Sequence, residues 1–197
     1  MDNATNEKII VATKLWLERA VIGLNLCPFA KAVHVKNQIS HVVSSATTHE
    51  DLLNDLRHAL EILAETSAEN IDTTLLVHPY VLTDFLDYND FLNVADAALE
   101  DMGLENVLQV ASFHPHYQFA GTQPDDIENY TNRSPYPMMH LLREASVMRG
   151  VLAFPEAGKI FDKNIATLRD LGHAGWDDLG LVKINPPLEN KSMRKEL

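Results

Sequence analysis

The run Thr73–Val77, TTLLV, constrains the fold of this chain more than any other feature. It is short, nearly continuous in apolar character and free of charge. That is the pattern of a strand buried on both faces. Such a strand needs other elements packed above and below its sheet. The flanking sequence offers them. Residues 6–26 carry Ile9, Ile10, Thr13, Trp16, Leu17, Ala20, Val21 and Leu24 at helical spacing. They read as one long amphipathic helix that ends by Cys27, because Pro28 disfavours helical geometry in the residue before it. Gln38–Ser44 alternates and is rich in β-branched residues, the pattern of a second strand. Val33–Lys36 is a candidate to pair with it across a turn at Asn37.

Thr47 with Glu50 has the spacing of a capping box, followed by a stripe of Leu52, Leu53, Leu56, Leu60 and Leu63. Thr83 is placed to cap a third helix, with Phe85, Tyr88, Phe91, Leu92, Ala95, Leu99 and Met102 on one face. Gly103 stands where such a helix closes. Val107–Phe113 reads as another strand. Ser134-Pro135 opens a helix expected to run to about Arg149, and another covers roughly 160–171, ended by Gly172. Strands alternating with helices predict an α/β fold, a small and mainly parallel sheet of three to four strands with helices packed on it. An α+β arrangement with an antiparallel pair is the competitor. Residues 1–184 read as one domain, and 185–197, a Pro-Pro followed by charges, as a flexible tail.

Composition narrows the function. Of 197 residues, 46% are hydrophobic, enough for a core without disulfides; the one cysteine, Cys27, could form none within the chain. There are 16 Lys and Arg against 28 Asp and Glu, a net charge of −12. That charge repels phosphate backbones and anionic lipid, so neither nucleic acid nor a membrane is an expected partner. No apolar stretch approaches the roughly 20 residues of a membrane span, and the polar start MDNATNEK lacks the features of a signal peptide. A cytoplasmic location is the expectation.

Two strands share an ending. LLVHPY places His78 before Pro79, and ASFHPHY places His114 before Pro115 and His116. Both histidines are expected where the chain leaves the sheet at its carboxyl edge, the edge at which open α/β sheets bind ligands. The alternative is that each ring only ends its strand, bonded to a loop. Residues 114–134 show no periodicity, and a loop of that length inside a domain is usually functional or disordered. The helix expected after it would carry His140, Arg143 and Glu144 on one side, with Asn132 and Arg133 before its cap. Pro135 and Pro137 remove donors from that helix end, so Arg133 would do most of the holding of an anion. The alternative is that Arg143 pairs with a carboxylate and His140 packs against the sheet.

His114-x-His116, with His78, Asp125, Asp126 or Glu128, could form a three-ligand metal site, though no HExxH or CxxC supports it. Cys27 sits at a helix C-terminus, which disfavours a thiolate, so it reads as a small apolar residue. No GxSxG, GxxxxGK[ST] or GxGxxG appears, and no cofactor is indicated. Asp84, Asp87 and Asp90 read as solvated surface.

The runs GLNLCPFAKAVHV, TTLLVHP, DFLDYNDFL and SFHPHYQFAGTQPDDIENYTNRSPYPMMHLLREAS carry a resemblance. From about Trp16 to Ala145 the chain resembles a bacterial family, domain-of-unknown-function family fourteen-fifteen. The resemblance implies no activity and no catalytic residues. The family pattern FHPxYQFAG leaves the place of His116 open. That weighs against the HxH ligand pair and leaves His114, Tyr117 and Gln118 as the better part of the loop.

The expectation is therefore a pocket at the strand ends in an enzyme, a hydrolase or group transferase, that acts on a small anionic metabolite. His114 would be general acid or base, with His78 and His140 beside it. Arg133 and Arg143 would hold the anion, and Asn132, Tyr117, Gln118, Asp125 and Asp126 would line the pocket, with Cys27 nearby. Two alternatives stand: a non-enzymatic binding or assembly-helper protein using loop 114–137 as a partner surface, and a metal-dependent enzyme with His ligands. The sequence leaves the oligomeric state open.

Overall fold

The structure is a computed structural model that describes residues 3–154 and 156–181. Helix α1 (Asn3–Trp16) passes into a π-helical turn, Leu17–Ile22. Then come α2 (Ala30–Val35), β1 (Ile39–Val43), α3 (His49–Glu65), β2 (Thr73–Val77), α4 (Phe85–Asp101) and β3 (Leu108–Phe113). A 3-10 turn, Ile127–Thr131, leads to β4 (Met138–Arg143), α5 (Glu144–Ala153), a second 3-10 turn (Ala157–Lys159) and α6 (Ile160–Asp178). The expected tail, 185–197, lies outside the described residues.

The four strands are ordered β1-β2-β4-β3. Only β1 and β2 are parallel; β4 lies antiparallel between β2 and β3. The sheet is mixed, not mainly parallel. The reason is β4 itself. Its sequence MMHLLR falls within the helix expected from Ser134 to Arg149, because a short apolar run has no period that separates a buried strand from a buried helix. With the helix gone, the chain returns from β3 as a strand and fills the gap between two strands of like direction.

β2 is buried at every position, and side-chain alternation splits its contacts between two cores. Leu76, Met139 and Leu141 join Leu52, Leu56, Leu60 and Leu63 of α3 and Tyr88, Phe91, Ala95 and Leu99 of α4. Leu75, Val77 and Met138 face Ile9, Ala12, Trp16 and Leu17 at the start of the chain, with Leu168 and Trp176 of α6. The four α3 leucines are fully enclosed, and each contributes about 1.5–3 kcal/mol by burial.

Several local expectations shift. α3 is capped by Thr48, whose hydroxyl accepts from the Asp51 N–H at 3.1 Å, one residue past Thr47. α4 is capped by Asp84 instead of Thr83; its carboxylate accepts from Leu86 and Asp87. An acid at that position satisfies two helix-end donors and complements the dipole. Residues 33–36 lie in and just past α2 and form no strand. α6 does not end at Gly172: the backbone turns there (φ +65°) and helix resumes to Asp178. Among the described residues no helix is long and apolar enough to cross a membrane.

Candidate functional site

β2 and β3 run in the same direction, so His78 and His114 emerge at the same edge of the sheet, with the start of β4 between them. They are not on neighbouring strands, yet Tyr88 joins them. His78 stacks on the Tyr88 ring at 5.7 Å between centroids, and His114 lies 5.1 Å from it, tilted. Both are fully buried. His78 Nδ1 bonds the Val81 carbonyl at 3.1 Å and His114 Nε2 the Leu82 carbonyl at 3.2 Å. Only N–H groups can donate to carbonyls, so these contacts set both tautomers. His114 Nδ1 then accepts from the His116 N–H at 3.0 Å, which uses every polar atom of the ring. Burial holds both rings neutral, with pKa values lowered to about 4.

The loop residues are engaged mainly with one another. Arg133 donates to the carbonyls of Tyr117 (3.3 Å) and Pro124, with its guanidinium 4.3 Å from the Tyr130 ring centre. Asn132 donates to the Ser112 carbonyl, and Gln118 to that of Thr122. Asp126 accepts from the Gln123 N–H at 2.7 Å. Tyr117 packs on Phe85 and Phe119. Asp125 is exposed. Among the described residues no group of three or more His, Cys, Asp or Glu is placed to hold a metal ion.

His140 and Arg143 do not join this cluster. In a strand they cannot share the helical face expected of them. Met139 and Leu141 face the α3–α4 core, so His140 points through the opposite side of the sheet from His78 and His114. Arg143 ends β4 about 17 Å along the strand from Met138. There it donates to the carbonyls of Leu63, Thr66 and Ile71, which ties the end of α3 to the start of β2.

The side of the sheet that His140 faces packs against α1, the π-helical turn and α6. A cavity of about 280 Å³ remains between the sheet, the π-helical turn and the 27–33 segment. Its walls are almost wholly apolar: Trp16, Leu17, Val21, Phe29, Leu75 and Leu142. The π-helical turn supplies Leu17 and Val21; such insertions are frequent at functional sites. Phe29 lies flat against Gly150 of α5, where an added Cβ would stand 2.9 Å from the ring. Cys27 also lines the space, and burial raises its thiol pKa.

At the cavity floor, His140 Nε2 lies 2.7 Å from Thr73 Oγ1, which is also 2.6 Å from the Leu141 carbonyl. Burial lowers the His140 pKa to about 4, so the ring is neutral. At the rim the Asp72 carboxylate accepts from Ser146 Oγ at 2.7 Å, and Arg149 lies 3.7 Å from it. Of the residues expected at the site, only His140 and Cys27 line this cavity. Thr73, Asp72, Gln109 and Ser146 were not anticipated. The signal available was one histidine inside an apolar run, which stands out only once MMHLL is seen as a strand. A second cavity, about 300 Å³, lies beyond Trp16 at the carboxyl edge, with Arg133 and His116 on its wall and none of His78, His114 or His140.

A four-stranded mixed sheet with helices on both faces and a ligand-sized cavity in one of them define a mixed α/β protein. The chain belongs to a family: the model described as Protein of unknown function (DUF1415) matches residues 8–178, beyond both ends of the segment that carried the resemblance. No curated protein and no solved structure matches it.

Proposed function

We propose that this protein binds a small, mostly apolar organic molecule in the cavity between the sheet and the π-helical turn. The observation that carries this reading is His140, a neutral imidazole on the floor of a mostly apolar, ligand-sized space. Apolar pockets with a few placed polar groups are the usual form of small-molecule sites. The anionic metabolite expected from sequence finds less support. Arg143 donates to backbone carbonyls at the far end of β4, Arg133 lies on a different cavity, and neither lines the space at His140. Binding is favoured over acid–base catalysis because an imidazole whose pKa is about 4 is a weak base.

Toluene is a suitable probe. It should raise the melting temperature of the protein in proportion to its concentration. Replacing Ala111, which lines the floor, with Phe should abolish the shift while circular dichroism stays unchanged. Val147→Trp, at α5, gives a second blocked variant should Ala111→Phe fold poorly. A toluene shift that survives in a folded blocked variant contradicts the reading.

A further inference from the structure

Resting on that binding reading, we infer that the cavity selects neutral ligands that donate a hydrogen bond, phenols in particular, and takes them by His140 Nδ1. The number of protons at Thr73 and His140 decides this. Thr73 Oγ1 has one hydrogen and two near partners, the Leu141 carbonyl at 2.6 Å and His140 Nε2 at 2.7 Å. A carbonyl can only accept, so the hydroxyl hydrogen goes to Leu141. The His140 contact then requires the imidazole to donate from Nε2 to the Thr73 oxygen. The neutral ring carries one N–H, which leaves Nδ1 as a lone pair. No hydrogen-bond partner for Nδ1 is present among the described residues.

An accessible acceptor on the wall of a mostly apolar space gains a direct partner from a ligand hydroxyl or N–H. Acceptance alone disfavours a carboxylate at that atom, since it offers no proton near neutral pH. The Asp72 carboxylate at the rim accepts from Ser146 Oγ and lies 3.7 Å from Arg149, and no Lys or Arg is among the lining residues to hold an anion. The ring preference comes from the walls. Trp16 and Phe113 meet edge to face at 5.3 Å, and Phe113 lies 6.1 Å from the His140 ring. These rings offer a flat molecule the edge and tilted contacts that aromatic pairs prefer. The volume suits a ligand on the order of ten non-hydrogen atoms.

Three probes of one shape separate the claims: toluene, p-cresol and 4-methylbenzoate, titrated by calorimetry at pH 7 into the intact chain. The inference expects p-cresol to bind about tenfold tighter than toluene, as one net hydrogen bond supplies, and 4-methylbenzoate to bind more weakly than either. His140→Phe should bring p-cresol to the affinity of toluene while toluene still binds. Thr73→Val, which removes the group that fixes the tautomer, should reduce the p-cresol preference and serves where His140→Phe does not fold. Equal binding of toluene and p-cresol, or tighter binding of the benzoate, overturns the donor inference and leaves the cavity standing. Failure of all three probes overturns the binding reading itself.

Discussion

Thr73 of β2 and His140 of β4 meet on one face of the sheet, with Oγ1 and Nε2 2.7 Å apart. Neither residue is directly opposite the other in the ladder: His140 pairs with Leu75, and Thr73 with Leu142. The contact is the diagonal one, within reach of a long side chain. It ties a buried hydroxyl, a backbone carbonyl and an imidazole into one proton arrangement at the cavity floor. Thr73→Val keeps the shape and removes the oxygen. The His140 N–H then loses its acceptor, and unfolding in urea should show a loss of about 1–3 kcal/mol at unchanged m-value.

Acid should destabilise the protein before most carboxylates titrate. In the folded chain His78, His114 and His140 have pKa values lowered to about 4 from an ordinary 6.5. Between those values the unfolded chain binds more protons than the folded one, so stability rises with pH. The contribution is complete above about pH 6.5 and is lost as pH falls towards 4. Each ring adds up to about 1.4 kcal/mol per pH unit in that window. Urea unfolding from pH 7 to 4.5 measures it; flat stability between pH 6.5 and 5 contradicts three neutral rings.

Tyr88→Phe tests the clasp at the carboxyl edge. The Tyr88 hydroxyl donates to the Met138 carbonyl at 2.8 Å and accepts from the Phe113 N–H at 3.1 Å, which joins the end of β3 to the start of β4. Its removal should cost about 1–3 kcal/mol and speed hydrogen exchange at the Phe113 amide. Toluene binding should not change, because Tyr88 packs on the other side of the sheet.

The two arginines should separate cleanly from ligand binding. Arg143→Met leaves the carbonyls of Leu63, Thr66 and Ile71 without their donor and should lower stability by about 1–3 kcal/mol. Arg133→Met should raise amide exchange across residues 117–124 with little change in melting temperature. Both variants should bind toluene and p-cresol as the parent does. A large loss of affinity in either would return the guanidinium groups to the binding site.

What the sequence made legible follows physical locality. β2 was readable because five uncharged residues in a row leave a strand few places to go. The α3 and α4 stripes were readable because helical period and caps are local, apart from one-residue shifts at Thr48 and Asp84. β4 was not readable, because its identity comes from the gap between β2 and β3 that it fills. That one misassignment placed His140 and Arg143 on a shared helical face beside His114, which a strand cannot provide. The histidines after β2 and β3 were correctly brought to one edge, but whether they face solvent or Tyr88 is set by α4, which no spacing reveals. The cavity was invisible for the same reason: it depends on how far the π-helical turn stands from the sheet.

A small molecule bound in the space above His140 would touch the residues that line it. Intermolecular nuclear Overhauser effects between bound p-cresol and the protein measure this most directly. Contacts are expected to the methyl groups of Val21, Leu75 and Leu142 and to the His140 ring, the groups that line the cavity. Contacts confined to the α3–α4 core or to loop 114–134, with none to His140, would contradict binding in that space.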